Sequence, residues 1–281
     1  MRLGVVLEAP TIEDLVARAL VAETAGIDLV WFTAGAGGEA ALLSAAAVAA
    51  RTSVIRLAGC VGVGGQPLAI AEAAVVCDNC SGGRVVLVLE DDENDSELLA
   101  ESVDVVLAAT APRPFRHAGT RWRIPANLPE NDHHEELIVV TPYAVQTELP
   151  VWLFGHASAP VARVRGLPHV AGEFDPPDVT AAAWSQTDDS LGLAARRLRR
   201  PAVRLLGTDE RGKFDVDEIV GRLRADRRAW GLDTAVVHLP PDLDDDAWNH
   251  AIDGLALEVR PRVTMHELPA GLDEHWKQVL V

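Results

Sequence analysis

The chain opens on a short, continuously apolar run, Leu3 to Leu7, that stops at Glu8-Ala9-Pro10. A few uninterrupted apolar residues bounded by turn formers read as a strand buried on both faces. The period then changes. Thr11 stands where a helix N-cap belongs, Glu13 and Asp14 fall in the first turn, and Leu15, Ala19 and Ala22 share one face before Gly26. That spacing predicts a helix ended by a glycine. The couple repeats, with strands at Asp28 to Thr33, Ile55 to Val63 and Arg84 to Leu89, and helices at Glu39 to Arg51, Pro67 to Asn79 and Ser96 to Ala109. Further strands are predicted at Val151 to Phe154, His169 to Gly172, Ala202 to Leu206 and Thr234 to Leu239. Their helices fall near Ala159 to Arg165, Asp178 to Ser185, Asp215 to Trp230 and Asp245 to Val259. Strands alternating with helices of this length imply parallel βαβ units. Eight such pairs, with no long apolar edge strand left over, predict an α/β fold of the closed (β/α)8 TIM barrel type, one domain over residues 1–281.

One stretch breaks the rhythm. Residues 111–149 carry Pro112, Pro114, Pro125, Pro129 and Pro142 and one longer strand candidate, Leu137 to Thr141. An excursion of this length in an α/β protein is usually a functional loop or lid, here expected over or beside the barrel mouth. Residues 188–200, with Arg196-Arg197 and Arg199-Arg200, read as a solvated linker or short helix.

Composition narrows the partners. The chain has 25 Lys and Arg against 42 Asp and Glu, a net charge of −17. Such a surface repels phosphate backbones and anionic lipid heads, which argues against nucleic acid and membrane partners. No apolar run approaches the roughly 20 residues of a membrane span. Met1-Arg2-Leu3 leads straight into a strand without a signal-peptide layout, and three cysteines make no disulfide framework. A cytoplasmic location is therefore expected.

Candidate chemistry gathers at strand ends. Gly155-His156-Ala157-Ser158 leaves a strand for a helix N-terminus, where free backbone N–H groups and a hydroxyl could hold a phosphate; Ser158 could equally just cap its helix. His156 could serve as an acid–base group or be a plain turn histidine. Gly59-Cys60-Val61-Gly62 permits close approach of a flat ring, or simply a tight turn. Glu8, Glu90 and Glu173 follow strands and could line the mouth or cap helices. His117, His133 and His134 belong to the excursion, where adjacent loop residues seldom supply converging metal ligands, so no metal is expected. Cys77 and Cys80 have redox spacing at the wrong end of a helix and read as small core hydrophobes.

Four segments in order resemble the bacterial-luciferase-like flavin or deazaflavin oxidoreductases. They are 22–31 (Ala-Glu-Thr-Ala-Gly-Ile-Asp-Leu-Val-Trp), 49–57, Pro67 to Arg84 with Asp78 and Ser81-Gly82-Gly83-Arg84, and a set running from Thr141-Pro142, Gln146 and Leu149-Pro150-Val151-Trp152 to Ser158. The resemblance covers residues 1–175 well and the remainder by pattern. It implies an eight-stranded barrel, a dimer formed through the early Ala-rich helices, and FMN or deazaflavin (coenzyme F420) at the C-terminal mouth. It also implies contact with that cofactor through Thr33, Gly59, Cys60, Gly62, Glu90, Gly155, Ala157 and Ser158, with His156 as the catalytic candidate and a small organic molecule as substrate. Where the family usually has an acidic residue or histidine after its second strand, this chain has Thr33-Ala34-Gly35. Two alternatives stay open: a catalytically reduced barrel that binds a small molecule or partner with no cofactor, and a metal-assisted hydrolase using mouth carboxylates.

Overall fold

Strand and helix alternate from the first residues: β1 (Arg2–Val6), α1 (Ile12–Ala25), β2 (Leu29–Phe32), α2 (Ala40–Ala49), β3 (Arg56–Gly62), α3 (Pro67–Ser81), β4 (Val85–Asp91) and α4 (Ser96–Thr110). These come from a computed structural model that describes residues 1–33, 40–126, 137–155, 158–171, 202–208, 212–230 and 232–264. A two-stranded hairpin, β5 (His117–Ala118) and β6 (Arg123–Ile124), precedes β7 (Val151–Gly155), α5 (Ser158–Arg165) and β8 (Val170–Ala171). The remaining elements are β9 (Ala202–Gly207), α6 (Val216–Trp230), β10 (Leu232–His238), α7 (Asp245–Gly254), a π-helical turn (Leu255–Val259) and α8 (Arg260–Thr264). The expected helix at Asp178 to Ser185 and the linker at 188–200 lie outside the described residues.

Eight strands pair in parallel in the order β7-β4-β3-β2-β1-β10-β9-β8. The two ends of this sheet meet, because Leu153 N donates to Pro168 O at 3.0 Å and Leu153 bridges His169 in parallel. The sheet is thus the barrel that the alternation predicts. Side chains obey the two-residue period of a strand. Val6, Leu29, Trp31, Ala58, Cys60, Val86, Val88, Trp152, Val170, Val203 and Val236 fill the interior. Their neighbours Leu3, Val5, Val30, Leu57, Val85, Leu87, Leu153 and Val237 pack outward against the helices. Because both faces are buried, the strands read as continuous apolar runs.

The excursion folds differently from expectation. Leu137 to Thr141 forms no strand: Ile138 and Phe115 exchange two hydrogen bonds of 2.9 Å, and Pro142, which has no N–H, follows soon after. Phe115, Ile124, Ile138 and Val140 instead pack on Ala71, Val75 and Ala109 of α3 and α4, so the described part lies along the side of the barrel. Glu101 on α4 fixes the hairpin by accepting from the N–H groups of Arg121 and Trp122 and meeting His117 Nε2 at 3.1 Å. Of the two Ala-rich helices expected to join copies, α3 therefore has part of its face already covered.

Buried charges tie the loops down. The Arg18 guanidinium, 7% exposed, donates to Glu8 O (2.8 Å), Pro241 O (3.2 Å) and Leu243 O (2.6 Å), and lies 4.9 Å over the Trp248 ring. At the other end of the barrel Arg84 donates to the carbonyls of Ala49, Thr52, Ile55 and Ser81. Asp78, fully buried, accepts from Val145 N, Gln146 N and Gln146 Nε2. Glu23 Oε1 accepts from Ser53, Val54 and Ile55 N. Burial raises the Glu23 pKa, but those three N–H groups and nearby Arg84 outweigh it and hold the carboxyl below its usual value.

Arg18→Met removes three hydrogen bonds to backbone carbonyls and is expected to cost about 3 kcal/mol, a fall in Tm of roughly 5–10 °C by calorimetry. Glu23, depressed in the fold, stabilises above its unfolded pKa, and that contribution is lost as pH falls through the folded value. Glu23→Gln should therefore be less stable than the parent at pH 7, with the difference in urea midpoint closing on acidification below about pH 4. A gap independent of pH would contradict the assignment.

Candidate active site

The inward-facing period carries past the last apolar layer. Two residues beyond Val6, Trp31, Val88, Trp152 and Val236 stand Glu8, Thr33, Glu90, Phe154 and His238, so these face the C-terminal mouth. Below them lies an aromatic floor. Trp31 and Trp152 are 2% and 5% exposed with ring centroids 6.4 Å apart, and Phe154 meets the Trp31 ring edge-on at 6.0 Å and 86°.

Two polar contacts stand on this floor. Thr33 Oγ1 donates to Glu8 Oε1 at 2.8 Å, and Glu8 Oε2 lies 3.6 Å from His238 Nε2. The latter is too long for a hydrogen bond. Across the mouth the Cys60 thiol donates to Glu90 Oε2 at 3.4 Å. Arg18 is the support behind the first group: by binding Glu8 O together with Pro241 O and Leu243 O, it pins the loops leaving β1 and β10 to one another.

The β7–α5 turn is built tightly. Gly155 has φ +102°, and a Cβ there would lie 2.8 Å from Asp91 O, so only glycine fits. Ser158 is fully buried, and its hydroxyl donates back to Gly155 O at 2.5 Å, which locks the turn from within. His156 and Ala157 lie outside the described residues, as do Glu173, His133 and His134. Gly59 faces outward, where a Cβ would come within 2.7 Å of Leu42 Cδ2; its small size serves helix packing. Gly62 sits against the Asp92 carboxylate, which a Cβ would strike.

The structure thus brings Thr33 to Glu8 and Cys60 to Glu90, and Gly155 to Ser158. His238 was missed in the sequence, although its spacing of two from Val236 was the available signal. Cys77 is buried and Cys80 exposed, and burial pushes the Cys77 thiol up to about 12, far from nucleophilic use. Among the described residues no three His, Cys, Asp or Glu side chains are grouped to hold a metal ion. Nor is any helix among them long and apolar enough to cross a membrane. Trp31 and Trp152 are almost wholly buried, so of the three rings Phe154 is the one partly open, and the first turn of α5 carries the N–H groups of Ser158 and Ala159 while Pro160 has none.

Known proteins agree with this architecture. No curated protein matches the chain significantly. Among solved structures, the monooxygenase RslO1 from Streptomyces bottropensis is similar with a TM-score of 0.72 and 17% identity, covering 93% of this chain and 99% of that one. The oxygenating constituent of 3,6-diketocamphane monooxygenase from Pseudomonas putida, solved with FMN, gives 0.67 and 15% over 95% and 99%. The coenzyme F420 dependent tetrahydromethanopterin reductase from Methanopyrus kandleri gives 0.70 and 14% over 94% and 99%. The family model for luciferase-like monooxygenases matches residues 2–185, well over half of the 281. The chain belongs to the luciferase-like monooxygenase family.

Proposed function

We infer that the protein is a flavin- or deazaflavin-dependent oxidoreductase acting on a small organic substrate, with the cofactor ring held at the barrel mouth above Trp31 and Phe154. The observation that carries this reading is the aromatic floor lying directly beneath a rim of polar side chains. It stands at the end of the strands where barrel enzymes keep their chemistry. The FMN and coenzyme F420 named for two structural neighbours support the cofactor class.

When bound, the ring supplies the two-electron chemistry that side chains lack. The chain's own residues bind, orient and handle protons. Trp31 and Phe154 exclude water from the lower face of the site. Glu8, held by Thr33, stands beside His238, and the pair offers a carboxylate and an imidazole to a substrate. The Cys60 thiol occupies Glu90 Oε2, so Oε1 is the oxygen available to accept from a substrate or ring N–H. Among the described mouth-facing side chains Glu8 and Glu90 are acidic and none is Lys or Arg, so a cofactor phosphate is best held by backbone. The candidate donors are the N–H groups of Ser158 and Ala159 in the first turn of α5, where Pro160 has none.

Titration of the protein with FMN, and separately with the deazaflavin cofactor, should give saturable one-to-one quenching of cofactor fluorescence with one of the two. Phe154→Ser removes an aromatic wall and should weaken that binding about tenfold, with circular dichroism unchanged. Saturable binding of neither cofactor would contradict the reading and favour a barrel that binds other ligands without redox turnover.

A further inference from the structure

The opposite end of the barrel holds a cavity of about 660 Å³, a size that takes an organic ligand of ten to twenty heavy atoms. Its upper wall is apolar and belongs to the barrel interior: Val86, Trp152 and Val203. Its lower wall is cationic. The inward period that places Glu8 and Cys60 at the mouth places Arg2 and Arg56 at the base, and Arg113 and Arg165 enter from the ends of α4 and α5. In a chain of net charge −17, such convergence is not what an even spread of charge produces.

Pairing within the cavity leaves a definite remainder. Arg165 is committed to Asp104 through two contacts of 2.7 Å, and Arg2 lies 3.9 Å from Asp233. Arg56 and Arg113 make no side-chain hydrogen bond or ion pair among the described residues, and the one other carboxylate of the cavity wall is Glu148. Burial disfavours the charged form of the Arg56 guanidinium, and Arg2 beside it does so further, against partial relief from Asp233 and Asp78. A guanidinium so placed gains from an anion that reaches it, because its planar fork matches a carboxylate with two parallel hydrogen bonds.

We propose that the base of the barrel is a second binding site, for a small organic carboxylate whose head group pairs with Arg56 and Arg113 and whose apolar body lies against Val86, Trp152 and Val203. An inorganic oxyanion would satisfy the arginines alone; the apolar wall selects a ligand with a hydrocarbon or aromatic body. The site is separate from the mouth, since the layer of interior side chains through Trp31 and Trp152 divides the two, and it stands whether or not a redox cofactor binds above.

The test is calorimetric titration of the full-length protein with octanoate, and in parallel with inorganic phosphate. Octanoate is expected to bind one-to-one, with affinity falling at least tenfold in Arg56→Met, which keeps side-chain length and removes charge. Arg113→Glu, after the end of α4 and away from the sheet, should weaken binding at least threefold, and it decides the matter if Arg56→Met does not fold. Absence of saturable octanoate binding, or binding unchanged in both variants, overturns the proposal. Phosphate binding as tightly as octanoate would also overturn it, by removing any part for the apolar wall.

Discussion

The Arg18 guanidinium ties two neighbouring strands of the barrel, β1 and β10, together at the mouth. Its three donor contacts reach the loop leaving the first strand, at Glu8, and the loop leaving the last, at Pro241 and Leu243. Three loop carbonyls thus bond one buried cation, and of these the Leu243 contact is the fully buried one, whose loss would cost the desolvation of both groups. The Trp248 ring beneath the guanidinium closes its other face to water. This contact also fixes Glu8 and the loop that follows His238 beside one another at the mouth.

A closed parallel barrel imposes a second constraint that explains where polar residues stand. Every second side chain points into a space that only a few layers can fill, and both ends of each strand must change character where water begins. At the mouth the change gives Glu8, Thr33, Glu90 and His238; at the base it gives Arg2 and Arg56. Among the described inward-facing residues the carboxylates thus stand at one end and the arginines at the other, with an apolar plug of valines and tryptophans between.

Much of the fold was legible in the sequence. Leu3 to Leu7, Arg84 to Leu89 and Val151 to Phe154 are apolar throughout because both their faces are buried, and Gly26 and Gly82 end helices with positive φ. The β5–β6 hairpin was not legible, since strands of two residues carry no periodic signal. The most recognisable motif, Ser81-Gly82-Gly83-Arg84 with Asp78 and Gln146, proved to be a set of hydrogen bonds at the base of the barrel, away from the mouth. The pairing of Glu8 with Thr33 spans 25 residues and its approach to His238 most of the chain, and only the barrel brings them together. Gly59 illustrates the reverse: a glycine beside a candidate site whose small size is needed on the other face of the strand.

The central claim is that the aromatic floor at the mouth is the seat of a flavin or deazaflavin ring. A crystal structure of the protein grown with FMN or the deazaflavin cofactor tests it most directly. The account predicts ring density over Trp31 and Phe154, within hydrogen-bond reach of Glu90 or His238, and the phosphate against the N–H groups that follow Gly155. Cofactor density at the basic end beside Arg56, with the mouth free of it, would contradict the account.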